Sequence, residues 1–265
     1  MTGPRVVATD LDGTVVRSDN TISERTRAAL VAARDAGALI VIVTGRPPRW
    51  LAGIAEATGH AGLAICANGA LTYDLSTEQV IAARPVPVEV VRAVMTELRT
   101  AVPDVAFAIE RVDGRFAHES EYHPRWEPEA STIVGDLDSV FDVPVSKLLA
   151  RVEGTNSDDL LAMARAVVNP GVAAVTHSSI DGLLEVMAHG VNKATALEEL
   201  IADRGFTAAD VVAFGDMPND LEMLQWAGRG VAVANAHPEV LAVADEVTLS
   251  IEDDGVAVVL ERLFG

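Results

Sequence analysis

An apolar run that ends in two carboxylates places the strongest constraint on this chain. In Arg5-Val-Val-Ala-Thr-Asp10-Leu-Asp12-Gly-Thr14, residues 6–8 suit a strand buried on both faces, and Gly13 allows a sharp turn just after the acids. Paired acids at the exit of a buried strand are costly unless a cation or a proton compensates them. In an open α/β sheet that exit is where ligands bind. Asp and Gly are also ordinary turn residues, so this stretch alone permits a strand that simply ends in an Asx turn.

Three more apolar segments end in polar clusters. Residues 39–43 run into Thr44-Gly45-Arg46, residues 63–66 into Asn68-Gly69-Ala70, and residues 211–214 into Gly215-Asp216-Met217-Pro218-Asn219-Asp220. Helical patterns lie between them. Ser23 can cap a helix over 23–35, and Pro47 and Pro48 can open one that runs to about 57. Asn192 can cap a helix over 193–203, and Pro218 suits the start of another over 219–226. Strands alternating with helices predict a parallel sheet with crossover connections, and the fold class is α/β with a Rossmann-like core. If the four strands lie parallel, their polar ends share one crevice.

The rhythm changes after residue 71. Short strands at 71–74 and 79–83 are followed by Pro85 and Pro87, a helix over 88–100, and strands at 105–109, 115–117, 145–151, 172–177 and 183–187. A second helix spans 157–168, and 118–138 is polar, irregular and rich in aromatics. This mixture predicts an inserted α+β domain over 84–187, with the core formed by 1–83 and 188–265.

With 265 residues, 49% of them apolar, the chain can bury a large core. A formal net charge of −19 repels polyphosphate backbones, which argues against a nucleic-acid partner but leaves room for a small phosphorylated metabolite. One cysteine, Cys66, rules out an intrachain disulfide. There is no signal-like start and no apolar run long enough to span a bilayer, so the expectation is a cytoplasmic protein without a membrane partner. Monomer and homodimer both remain open.

Three or four carboxylates meeting in one crevice would repel one another without a hard cation, and oxygen ligands suit magnesium. Thr44 offers a hydroxyl to a phosphoryl oxygen. Lys193 offers positive charge in a chain with only two lysines, Lys147 and Lys193, although an ordinary surface lysine would also fit its position.

Asp10-x-Asp12-Gly13-Thr14, Thr44-Gly45-Arg46, Lys193 and Gly215-Asp216-x-x-Asn219-Asp220 resemble, in order and spacing, the four motifs of the haloacid dehalogenase-like superfamily. The match lies in its phosphatase branch. The long insertion resembles the α/β cap of Cof-type, subclass IIB hydrolases. Ala194 departs from the glycine that many relatives carry after the lysine. The resemblance implies that Asp10 attacks phosphorus to form an aspartyl phosphate, while Asp12 protonates the leaving oxygen and then activates water. It implies magnesium held by the Asp10 side chain, the Asp12 carbonyl and Asp216, with Asp220 as a direct or supporting ligand. Thr44, Gly45, Lys193 and Asn219 would bind the phosphoryl group. Arg46, Asn68, His118, His123, Arg125 and Trp126 are the candidates for reading the rest of the substrate, with a sugar phosphate expected. A phosphomannomutase-like phosphotransferase and a non-catalytic metabolite-binding protein are the alternatives.

Overall fold

The computed structural model describes residues 3–58, 62–126 and 129–265. Two compact units divide the chain, one built from 1–82 with 192–265 and the other from 83–191.

The first unit begins with β1 (Val6–Thr9), α1 (Glu24–Asp35), β2 (Leu39–Val43), α2 (Ile54–Thr58) and β3 (Leu63–Cys66). β2 pairs in parallel with both β1 and β3. Every residue of β1 is buried, as the apolar run over 6–8 requires, and each buried valine contributes about 1.5–3 kcal/mol. Ser23 caps α1 by accepting from the Thr26 N–H at 3.0 Å. The helix expected from Pro48 to about 57 is instead a 3-10 turn, Pro48–Leu51, followed by the short α2. Gly53, at φ 83°, separates the two pieces. β4 (Leu71–Asp74) then pairs antiparallel with β3, and β5 (Gln79–Ala83) forms the edge.

The second unit contains α3 (Val88–Ala101), β6 (Ala106–Arg111), β7 (Phe116–His118), β8 (Ile133–Val134), β9 (Val145–Arg151), α4 (Ser157–Val167), β10 (Ala173–Thr176) and β11 (Leu183–Ala188). Its six strands form one sheet in the order β10-β11-β9-β6-β7-β8. Strand alternation gives the sheet two different faces. Phe107, Ile109, Leu148, Ala150, Leu184 and Val186 join Val91, Leu98 and Leu160 of α3 and α4 in the main core. The other face carries Ala108 and Leu149 in a small aromatic core with Phe116 and Tyr122. The stretch after β7, described except for residues 127 and 128, supplies Tyr122 and Trp126 to that core.

The chain returns to the first unit through α5 (Lys193–Ala202), β12 (Val211–Gly215), α6 (Leu221–Trp226), β13 (Arg229–Ala232), α7 (Pro238–Val243), β14 (Glu246–Val247) and α8 (Gly255–Phe264). The completed sheet runs β14-β13-β12-β1-β2-β3-β4-β5. β12 pairs in parallel with β1, so β1, β2, β3 and β12 all point the same way. The fold is a Rossmann-like core with an inserted α+β unit. Among the described residues, no helix is long and apolar enough to cross a membrane.

Candidate active site

Parallel pairing of β12, β1 and β2 brings their carboxyl ends to one edge of the sheet. Asp10 follows β1, and its N–H donates to the Phe214 carbonyl at 3.0 Å, which ties the acidic loop to β12. Asp216 lies one residue beyond β12. Gly13 allows the two loops to meet: a Cβ there would lie 2.2 Å from Asp216 Oδ2, and its φ of 80° is unfavourable for other residues.

Lys193 enters the cluster from the first turn of α5. Its N-cap, Asn192, accepts from the Thr195 N–H at 2.9 Å while the Thr195 hydroxyl accepts from the Asn192 N–H at 3.1 Å. The Lys193 side chain is completely buried, and Nζ donates to Asp10 Oδ1 and to Asp220 Oδ1, both at 2.6 Å. Asp220 Oδ2 accepts the Asp216 and Met217 N–H groups at 3.0 and 3.1 Å. Asp220 therefore fastens its own loop as well as the lysine.

Burial pushes the Asp10 carboxyl up from 3.8 to about 7; Lys193 opposes that rise, while Asp220 and Asp12 add to it. Burial likewise raises Asp216 well above the usual carboxylate range, reinforced by Asp10 and Asp220. Burial alone would lower the Lys193 ammonium, but its two carboxylate partners outweigh that effect and the net shift is upward.

Asp12 is arranged differently. Its side chain is 56% exposed and is gripped by the Arg46 guanidinium, with Nε donating to Oδ2 at 2.8 Å and Nη2 to Oδ1. A two-point fork of this kind fixes direction as well as distance. Arg46, expected among the residues that read substrate, is thus occupied by Asp12 in this structure. Its backbone N–H donates to Oγ1 of the buried Thr44 at 3.1 Å. Gly45 lies between the two. Asn219 Nδ2 donates to Asn68 Oδ1 at 3.0 Å, with both residues buried.

Two supporting residues carried no assigned role in the sequence. Thr14 Oγ1 donates to Asp216 Oδ1 at 2.9 Å, and Asn235 Nδ2 donates to the Gly13 carbonyl at 2.8 Å. Thr14 follows the Asp12-Gly13 turn directly, which is the signal that could have marked it. Asn235 has no such signal, because its partner is 222 residues away.

The remaining candidates lie in the second unit. His118 is buried on β7 and its Nδ1 bonds the Glu119 carbonyl at 2.7 Å. His123 is exposed. Arg125 pairs with Asp181 at 2.7 Å, and Trp126 packs against Phe116 with ring centroids 5.9 Å apart. On the same sheet face Lys147 and Glu185 form a buried ion pair at 2.6 Å.

Residues 7–260 match the haloacid dehalogenase-like hydrolase family. The chain belongs to that family. It is 27% identical over 270 residues to the 5-amino-6-(5-phospho-D-ribitylamino)uracil phosphatase YitU of Bacillus subtilis, covering 99% of this chain and 98% of that protein. A phosphatase of the haloalkanoate enzyme superfamily from Bacteroides thetaiotaomicron has a structure similar to this one at a TM-score of 0.80, with 25% identity over 98% of this chain and 95% of that one. A subclass IIB sugar phosphatase shares the fold at a TM-score of 0.80, with 22% identity over 97% of this chain and 98% of that one. This haloacid dehalogenase-like hydrolase is a phosphatase of the Cof-type, subclass IIB architecture, and its insert is the cap.

Asp10, Asp216 and Asp220 offer carboxylate oxygens within 4.8 Å of one another, and they form the magnesium centre of this phosphatase. The donor set fits the ion. It is all oxygen, and three carboxylates facing one ammonium leave an excess of negative charge that burial makes expensive. Protons compete with magnesium for the same oxygens. With Asp10 at about 7, the magnesium-induced rise in Tm is expected to be larger at pH 8 than at pH 6. Calorimetric scans with and without magnesium at the two pH values check this. An equal rise at both would mean that the Asp10 carboxylate is not among the ligands.

Proposed function

We propose that this phosphatase hydrolyses a small phosphomonoester, with a sugar or polyol phosphate as the substrate class, through an aspartyl phosphate on Asp10. The observation that carries this reading is the Asp10 carboxylate itself, buried at the end of β1, with Oδ1 held by Lys193. That bond leaves Oδ2 as the oxygen available to attack.

In the first step an Asp10 oxygen bonds to phosphorus as the bond to the leaving oxygen breaks. Asp12, released from the Arg46 fork that holds its carboxylate in this structure and carrying a proton, gives that oxygen its proton. In the second step Asp12 takes a proton from water, the resulting hydroxide bonds to phosphorus, and the Asp10–phosphorus bond breaks. Inorganic phosphate leaves and the Asp10 carboxylate returns. Thr44 donates its hydroxyl proton to a phosphoryl oxygen, while Lys193 neutralises charge beside Asp10. Before substrate binds, Arg46 keeps the exposed Asp12 from rotating freely. Magnesium, when bound, supplies positive charge to the phosphoryl oxygens and to the attacking carboxylate.

Support for the substrate class comes from two directions. The name of the B. subtilis relative describes a phosphorylated ribityl chain. The helix-free face of the cap sheet keeps Glu110, Lys147, Glu185 and His118 buried where apolar residues would fold equally well or better. Such charges suit the reading of hydroxyl groups, and of the cap candidates His118 is the one carried on a strand of this face. Arg125 and Trp126 each have a local structural partner.

A panel of sugar phosphates, polyol phosphates, nucleotides and pyridoxal phosphate tests the proposal. The expected result is magnesium-dependent phosphate release with kcat/KM for a sugar or polyol phosphate at least about tenfold above the nucleotides. Highest kcat/KM for nucleotides would overturn the substrate class. Sugar-phosphate interconversion activated by a bisphosphate, with little free phosphate, would replace hydrolysis by the mutase reaction.

A further inference from the structure

The turn after β3 holds Ala67 in a backbone conformation that alanine does not favour. Ala67, Asn68 and Gly69 have φ values of 50°, 55° and 104°, so two consecutive non-glycine residues occupy the left-handed region. Strain of this kind persists only where surrounding contacts over-determine it, and it gathers at functional sites.

The surrounding contacts are specific. The Ala67 N–H donates to the Arg46 carbonyl at 3.0 Å, and the Asn68 N–H donates to the Thr44 carbonyl at 3.1 Å. A Cβ on Gly69 would lie 2.2 Å from the Asn192 carbonyl oxygen, so glycine is what lets the turn meet the residue before Lys193. Asn68 Oδ1 accepts from Asn219 Nδ2, and Asn219 Oδ1 is buried with no hydrogen-bond partner. The orientation of the Asn219 amide therefore rests on Asn68. One turn, carrying none of the acids and neither lysine, touches all three segments that bear Thr44, Lys193 and Asn219.

We infer that Asn68 is a positioning residue for phosphoryl transfer, holding Asn219 through its side chain and the Thr44 loop through its backbone, and not a reader of substrate. This rests on the proposed phosphoryl-binding roles of Thr44, Lys193 and Asn219. Asn68 Oδ1 is engaged by Asn219 and the Asn68 N–H by the Thr44 carbonyl, which suits support better than recognition.

Asn68→Gly separates the two contributions, because glycine adopts the left-handed region readily but lacks Oδ1. The variant is expected to fold with a Tm a few degrees below that of the parent, because Asn219 Nδ2 loses its buried acceptor. Its kcat should fall about 10- to 100-fold, by the same factor for every substrate including p-nitrophenyl phosphate, with KM little changed. Asn219→Ala should show a similar loss, and the double variant should lose no more than the worse single variant, because both remove one interaction.

Additive losses, a parental kcat in Asn68→Gly, or a loss confined to some substrates would overturn the inference. Failure of Asn68→Gly to fold would make the residue structural and overturn it as well. An Asn219→Ala enzyme with parental kcat would remove the role of Asn219 and the inference with it. A parent chain that releases no phosphate from any substrate would instead overturn the underlying reading.

Discussion

Asp10→Asn is expected to lower phosphate release by about 10,000-fold or more while leaving the metal-free protein as stable as the parent, or more so. The loss follows from chemistry, because an amide oxygen is a poor nucleophile at phosphorus and cannot form the acyl phosphate. The retained stability follows from electrostatics. Burial raises Asp10 to about 7, so the folded state holds its proton between 3.8 and 7 where the unfolded chain releases it. The stability linked to that proton is complete below 3.8, declines as pH rises, and is lost above about 7. At pH 8 the parent therefore keeps a costly buried charge that asparagine lacks. The amide oxygen can still accept from Lys193, which keeps Asp220 as its ionic partner. Steady-state phosphate release and thermal scans in chelator check both halves. Turnover close to the parent would end the nucleophile assignment, and a large fall in Tm would end the electrostatic account.

Lys193→Met is expected to be the most destabilising single change in the site. It removes the ammonium that faces two carboxylates at 2.6 Å and leaves Asp10, Asp216 and Asp220 without that compensating charge in the metal-free protein. Breaking a buried ion pair on one side costs about 3–5 kcal/mol. Adding Asp220→Asn to Lys193→Met should recover part of that loss, because it lowers the uncompensated charge. The asparagine Oδ1 can still accept from the Asp216 and Met217 N–H groups that Asp220 Oδ2 now satisfies. Urea denaturation of the parent, the single variant and the double variant in chelator measures the difference. A single variant as stable as the parent would mean that the ammonium does not hold the acidic cluster together. A double variant less stable than Lys193→Met would show that the Asp220 charge is needed for its backbone contacts.

The core of the fold was legible because its strands are short, wholly apolar runs such as 39–43 and 211–214, each ending in residues that no buried strand tolerates. The cap was legible as an α+β insert, but not as a sheet with two unlike faces. Lys147 and Glu185 sit at alternate positions of strands 38 residues apart, and only pairing reveals that they meet. The acidic cluster was readable from its position at strand ends. The Arg46 fork on Asp12 and the Thr14 bond to Asp216 were not, because each joins loops separated by 34 and 202 residues. Periodicity reports which face of an element is buried and carries no information on such partners. The broken helix after Pro48 has a local cause in Gly53, but a lone glycine inside a helical pattern is tolerated often enough that its effect depended on context.

The proposed mechanism releases phosphate by way of Asp10 and not by direct attack of water. The stereochemical course at phosphorus tests this without requiring the intermediate to accumulate. A phosphorothioate monoester made chiral at phosphorus by oxygen isotopes, hydrolysed in isotopically labelled water, yields a chiral thiophosphate whose configuration can be read. Two in-line displacements, first by Asp10 and then by water, predict overall retention. Overall inversion would show a single displacement and contradict the account.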